Sequence, residues 1–410
     1  MQLVWRGSPS GGLHVEVGDE VAVPEPTPQA EILLSVINWR GAPAVAAASP
    51  AGDEAGRAGG SLGGFLKGSR VLDPAWPGGP GSIVVGGLAP RSTYDVVASA
   101  DGVAPWVAAR FTTLQRPPGD LLFKLATVTD LHIGEKHFGI WGRIWDGQES
   151  EPGAETYPVR CLRAALEEAT AWGAELIIAK GDLTRRATAA ELRDAARLLE
   201  ESPVPVETVL GNHDNALNVD MRSVLASCGV PVTWGPRAID VPGLRIVLAN
   251  SVHGNPRYHR GHLPAVVGKE VASLAAAASS PAIVVLHHPP ELHQYRTVYP
   301  PGIPLDESVA LLDALAKEHP QTLVTCGHRH RNRRYSYGPL VISETGSTKD
   351  YPGVWTGYKV YEGGIVQVVR RTARPDVIGW TEATRRAMNG QWGRWSPGRL
   401  ADRCFGLMWA

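Results

Sequence analysis

The chain has 410 residues, 43% of them hydrophobic and 20% charged, with a formal net charge of −1. That balance excludes a disordered polymer and leaves room for one large domain and a smaller one. It also excludes an overall basic field that would hold nucleic acid non-specifically.

Met1–Gly12 lacks a basic segment followed by an apolar core and does not read as a signal peptide. No apolar run approaches the roughly 18–20 residues of a membrane span. Cys161, Cys228, Cys326 and Cys404 are far apart with no CxxC spacing, so neither a thiolate zinc site nor a disulfide framework is expected. Cytoplasm is the expected compartment.

Residues 1–115 are rich in Gly, Pro, Ala and Val. Short β-like runs at Leu13–Val17, Glu31–Val36, Ser82–Val85, Tyr94–Ala98 and Trp106–Thr113 are separated by turn clusters, the pattern of a small all-β sandwich. Gly87-Leu88-Ala89-Pro90 through Tyr94-Asp95-Val96-Val97 to Phe111-Thr112-Thr113 resembles the closing half of a fibronectin type III domain. Ala42–Gly64 reads as a long loop, and residues 116–120, opening on Arg116-Pro117-Pro118-Gly119, as a linker.

From Leu121 strands alternate with helices, the signature of an α/β layered domain. Strands are expected at Leu122–Thr129, Leu176–Ala179, Val206–Leu210, Arg245–Ala249, Ala282–Leu286, Thr322–Thr325 and Val341–Ser343. Helices are expected at Val159–Trp172, Lys269–Ala278 and Glu307–Glu318. A further helix opens on Thr188-Ala189-Ala190-Glu191, a capping box, and runs towards Ser202.

Clusters of metal-type ligands follow these strands in order: Thr129-Asp130-Leu131-His132, Lys180-Gly181-Asp182-Leu183, Gly211-Asn212-His213-Asp214, Leu286-His287-His288-Pro289-Pro290 and Cys326-Gly327-His328-Arg329-His330. Open α/β sheets gather ligands outside the carboxyl ends of their strands, so all these clusters should converge. Asp130 and His132 are two apart, as are His328 and His330; in an extended segment each pair points to one side. Carboxylate, imidazole and carboxamide without sulfur suit Mn, Fe, Co, Ni or Zn.

Asp-x-His, Gly-Asp, Gly-Asn-His-Asp, a His and Gly-x-His in this order resemble the calcineurin-like metallophosphoesterases, over roughly 121–361. The resemblance implies an α/β fold: a layered β-sandwich flanked by helices at 121–365. The small all-β domain precedes it, and 366–410 follows as an Arg/Trp-rich tail packed on the catalytic domain. It further implies two divalent metal ions. Asp130, His132 and His330 hold the first, Asn212, His287 and His328 the second, and Asp182 bridges them. His287 is preferred to His288 because the family's ligand stands two residues before the proline. Asn212 also contacts phosphate, His213 is the acid or electrostatic partner of the leaving oxygen, and Asp214 orients its ring. The implied reaction is hydrolysis of a phosphodiester or phosphomonoester by a metal-bridging hydroxide.

Purple acid phosphatases carry a Tyr three residues after the bridging Asp, where this chain has Arg185. Protein Ser/Thr phosphatases continue with Val-Asp-Arg-Gly, where this chain has Leu183-Thr184-Arg185-Arg186. The pattern is most similar to class III cyclic-nucleotide and glycerophosphodiester phosphodiesterases. The expected partner is a small phosphorylated substrate, with no membrane; nucleic acid is disfavoured. Two other readings stay open, a binding protein on a vestigial core and a nuclease.

Four further features allow more than one reading each. His288 is a packing neighbour or a ligand, and Arg329 meets solvent or a salt-bridge partner, or else contacts phosphate. His253, His259 and His262, with Arg257 and Arg260, make a substrate-facing rim or a solvated loop. Phe138, Trp141 and Trp145 cap the site or anchor their own loop. The tail, with eight arginines and four tryptophans after residue 369, is expected to cover the domain rather than bind single strands.

Overall fold

The computed structural model describes residues 2–5, 14–18, 70–72, 81–85, 87–100, 103–138, 155–216, 221–230, 232, 234–255, 257–293 and 298–409. The strand expected at Glu31–Val36, the loop at Ala42–Gly64, and Trp141 and Trp145 lie outside them. The chain divides into two compact units: Met1–Arg116 with Ala373–Glu382, and Pro117–Thr372 with Ala383–Ala410.

In the first unit β1 (Gln2–Trp5) pairs antiparallel with β4 (Gly81–Val84). A second sheet has the order β3-β2-β5-β6, from Arg70–Leu72, His14–Gly18, Thr93–Ala100 and Val103–Thr112. Tyr94 stacks on Phe111 at 5.7 Å between ring centroids, and its hydroxyl accepts the Ala89 N–H at 2.9 Å. This ring pair closes the end of the β5–β6 ladder and ties the preceding turn to it.

The second unit is built on two six-stranded sheets. One has the order β18-β17-β16-β7-β8-β9, from Cys404–Met408, Gly364–Arg371, Val354–Tyr361, Leu121–Val128, Leu176–Lys180 and Val206–Val209. The other has the order β10-β11-β12-β13-β15-β14, from Arg237–Val241, Leu244–Leu248, Ala282–Val285, Thr322–Cys326, Leu340–Glu344 and Arg333–Tyr337. Their facing surfaces share one core, where Leu125, Ile178 and Tyr358 meet Leu248, Ile283 and Leu323.

Residues next along the same strands point outward. Ala126 and Ile177 pack with Leu162 and Ala165 of α1 (Tyr157–Ala171) and Leu192 and Ala195 of α2 (Ala189–Glu200). Val284 and Val324 pack with α4 (Ala265–Ala276) and α5 (Leu305–Glu318). The short α3 (Met221–Ser227) adds Leu225 to the first of these clusters. The result is a helix–sheet–sheet–helix stack. Central strands buried on both faces explain why Leu176-Ile177-Ile178-Ala179 and Ala282-Ile283-Val284-Val285 read as unbroken apolar runs.

The Thr188 capping box is present: its hydroxyl accepts the Glu191 N–H and the Glu191 carboxylate accepts the Thr188 N–H. The boundary expected at 365 falls inside β17, because β17 and β18 complete the first sheet beyond β16. After β17 come α6 (Pro375–Thr384), α7 (Trp392–Trp395) and α8 (Leu400–Arg403). No helix among the described residues is long and apolar enough to cross a membrane. All four cysteines are free thiols.

Candidate metal centre

β7 and β8 run parallel, as do β12 and β13, so the ligand clusters meet at one end of the stack. The paired residues there are not extended, as the two-residue spacing suggested. Asp130, His132, Asp182, His328 and His330 have φ of 54°, 48°, 50°, 70° and 49°, all left-handed. Tight turns, rather than strand alternation, aim these side chains. Such a conformation is costly for residues with a Cβ and persists where the surroundings hold it. In the first loop the holding bonds are main-chain: Leu131 and His132 N–H both donate to the Asp182 carbonyl at 2.8 and 2.9 Å; the His328 N–H donates to Asp130 Oδ1 at 3.1 Å.

Two glycines make the approach possible. A Cβ on Gly181 (φ 87°) would stand 2.6 Å from the His287 ring and 2.7 Å from the Gly211 nitrogen. One on Gly211 would meet Asp182 Oδ1 at 2.1 Å. Only glycine lets these two loops close around the carboxylate.

Asp182 sits at the middle. Its Oδ2 lies 3.5 Å from His132 Nε2 and 3.3 Å from His287 Nε2, and its Oδ1 accepts the His213 N–H at 2.9 Å. Asp130 Oδ1 lies 3.4 Å from His330 Nε2. His287 Nδ1–H donates to the Lys180 carbonyl at 2.8 Å, and His330 Nδ1–H to Asp350 Oδ2 at 2.7 Å. These bonds fix the tautomers that leave Nε2 as the free donor atom. His328 is held in the other sense: Nε2–H donates to the Pro301 carbonyl at 3.1 Å and leaves Nδ1.

The donor set fits divalent cations. His132 Nε2 and His287 Nε2 are buried without a hydrogen bond, an expensive state unless another partner takes the lone pair. Two donors on one tetrahedral ion at about 2.1 Å stand about 3.4 Å apart, the separation found here. Electrostatics agree. Burial opposes ionisation of Asp182, yet His287, His213 and His132 hold its carboxyl well below the usual range. Burial also opposes a charged His287, but Asp182 and Asp130 push it up to about 9. Groups of potential ligand atoms within 4.8 Å of one another form at Asp130/His132/His330, at Asp130/Asp182/His287 and at His287/His288/His328.

His288 has a partner at each ring nitrogen. Its Nδ1 accepts from Ser251 Oγ at 2.9 Å, because that hydroxyl already takes the His288 N–H at 3.1 Å. Its Nε2–H then donates to Asn212 Oδ1 at 3.1 Å. With both ring nitrogens engaged, it orients Asn212. Asn212 Nδ2–H donates in turn to His259 Nδ1 at 3.2 Å, which brings one histidine of the 253–262 loop to the site. His253 and His262 instead pack on each other at 5.1 Å, and His262 pairs with Glu307 at 2.7 Å.

Asp214 does not orient the His213 ring. Its carboxylate accepts the N–H groups of Leu183, Thr184 and Gly211 at 3.0, 2.8 and 2.9 Å, stitching the second and third loops together. The His213 ring is held through Nδ1–H by the Arg185 carbonyl at 2.8 Å. The ring lies beside that of His132, 4.6 Å between centroids. The motif carried no signal for this exchange, because a main-chain acceptor has no residue signature.

Over the ligands opens a cavity of about 670 Å³. His132, Asp182, Asn212, His213, His328 and His330 line it, with Arg185, His259 and Lys349. Arg329 forms the salt bridges that sequence left open, with Glu291 and, at 3.1 Å, Glu344. Phe138 lines the same cavity and packs on Trp392 at 5.9 Å. Residues 387–395 reach the cavity as well, where sequence placed only a covering tail.

The calcineurin-like phosphoesterase family model matches residues 123–332, half of the chain. The chain belongs to that family. A Synechococcus protein described as a probable cyclic nucleotide phosphodiesterase is 25% identical over 214 residues, covering 52% of this chain and 76% of the relative. Among solved structures, a purple acid phosphatase from yellow lupin aligns with 92% of this chain and 70% of its own, at 11% identity and a TM-score of 0.43. A Staphylococcus aureus protein described as a candidate 5′-nucleotidase aligns with 60% of this chain at 12% identity and a TM-score of 0.40. This chain spans 51% of that protein.

Proposed function

We propose that this chain hydrolyses a small phosphoric ester, a diester in preference to a monoester, at a centre of two divalent ions. The observation that carries the reading is the fully buried Asp182, flanked by two histidine nitrogens that lack any hydrogen bond. Asp130, His132 and His330 would hold one ion and Asn212, His287 and His328 the other, with Asp182 available to both. Bound there, the ions supply Lewis acidity and a nucleophile at neutral pH.

The chain's own groups do the rest. His213, anchored through Nδ1–H on the Arg185 carbonyl, handles the leaving-group proton at Nε2. The second N–H of Asn212 Nδ2 is free to donate to a phosphoryl oxygen. Arg185 lines the cavity beside His213 with no ion pair among the described residues, a cation available to an anionic ester. Preference for a diester is supported by the Synechococcus relative and by a cavity larger than a phosphate needs.

The test is turnover of bis-p-nitrophenyl phosphate and p-nitrophenyl phosphate after reconstitution with Mn²⁺, for the native protein and Asp182→Asn. The diester should turn over faster, and the variant should lose both activities. Equal turnover by the variant, or none by the native protein, would contradict the reading.

A further inference from the structure

One side of the cavity has no part in holding ions. It is made by a turn and short helix from beyond the family match, where Met388, Trp392 and Trp395 come in beside Tyr299 of the 298–300 loop. Met388 and Asn389 have φ of 53° and 54°, followed by Gly390 at 78°. Two successive left-handed residues with side chains are costly, and such strain concentrates where the chain is held for a purpose.

The two indoles are fixed. Trp392 Nε1–H donates to Asp350 Oδ1 at 3.2 Å, and the ring lies edge-on to His330 at 5.9 Å. Arg331 covers Trp395 at 4.4 Å from its ring centroid. The cations nearby are already neutralised: Lys349 by Glu135 at 2.9 Å, Arg329 by Glu291 and Glu344. Arg331 pairs with Glu344 at 2.6 Å, so each of these three cations already has a carboxylate partner. Tyr299, 75% exposed, leaves an aromatic surface facing outward.

Position then assigns the occupant. His213, beside His132, marks the leaving-group side, whereas Trp392 stands against a different ring, that of His330. Resting on the reaction proposed above, we infer that the Trp392–Trp395 wall binds the non-leaving substituent of the ester and selects a flat, apolar, aromatic group there. Rigid aromatic surfaces of this kind favour stacked or edge-on rings.

Two substrates with one leaving group test this: benzyl p-nitrophenyl phosphate against methyl p-nitrophenyl phosphate, with Mn²⁺-loaded protein. The benzyl ester should have a kcat/KM about tenfold higher or more. In Trp395→Ala that ratio should fall towards one, and in Trp395→Phe it should be largely restored. Because each ratio compares two substrates on one preparation, a smaller folded fraction cancels. Calorimetric binding of benzylphosphonate against methylphosphonate provides a readout that needs no turnover. Tighter benzylphosphonate binding that Trp395→Ala abolishes, without hydrolysis of either ester, would uphold the wall and sink the hydrolase. Hydrolysis with equal ratios in all three proteins, or equal binding of both phosphonates, would overturn the wall.

Discussion

The floor and the wall of this cavity are built by opposite means. The floor comes from loops at strand ends, with buried carboxylates and imidazoles packed at 3.3–3.5 Å and five ligand candidates forced into left-handed turns. The wall comes from a short helix near the carboxyl end that brings two indoles to the cavity, where Arg329 and Lys349 are already paired. One part concentrates uncompensated polarity and the other removes it. On the proposed reading chemistry and selectivity sit on separate stretches of chain, joined at Asp350, which takes His330 Nδ1–H with one oxygen and Trp392 Nε1–H with the other.

Three substitutions probe that division. The largest effect belongs to the floor: His213→Ala should keep both ions, by elemental analysis, while turnover falls about a hundredfold or more. Loss of an ion in that variant would make His213 a ligand rather than a proton carrier. At the joint, Asp350→Asn removes the carboxylate behind His330. Metal affinity, read by chelator competition, should fall about 10–100-fold, the usual cost of losing such a partner. If affinity held and only aromatic selectivity changed, Asp350 would belong to the wall alone. Smallest is Thr188→Ala, which removes the cap of α2 behind the Asp182 loop. Denaturation should report a loss of about 1 kcal/mol, with kcat/KM within about twofold. A larger fall in activity would show that the floor depends on α2 staying fully formed.

Much of the floor was legible in the sequence because its signals are local. Apolar runs mark strands buried on both faces, and Asp, Asn and His directly after them mark the strand ends. The capping box at Thr188 and Glu191 reads directly. What escaped depends on tertiary contact. The left-handed turns at Asp130 and His328 are held across loops, by the Asp130 N–H on the Gly181 carbonyl and the His328 N–H on the Asp130 carboxylate. Asp214 looked like the partner of the adjacent His213 ring, yet it binds backbone N–H groups of another loop. His288 was separated from His287 by its distance to Pro289, while the bonds that occupy both its ring nitrogens come from Ser251 and Asn212. Trp392 and Trp395 sit in a helix of four residues, too short for any periodicity to announce which side they face. β17 and β18 run across and beyond the boundary drawn at 365, since edge pairing leaves little trace in Cys404-Phe405-Gly406-Leu407-Met408.

The most direct test of the account is a crystal structure of the Mn²⁺-loaded protein with anomalous difference maps. Two peaks about 3.5–4 Å apart should flank Asp182, one against Asp130, His132 and His330, the other against Asn212, His287 and His328. A single peak, or a second ion bound by His288 in place of Asn212, would contradict it.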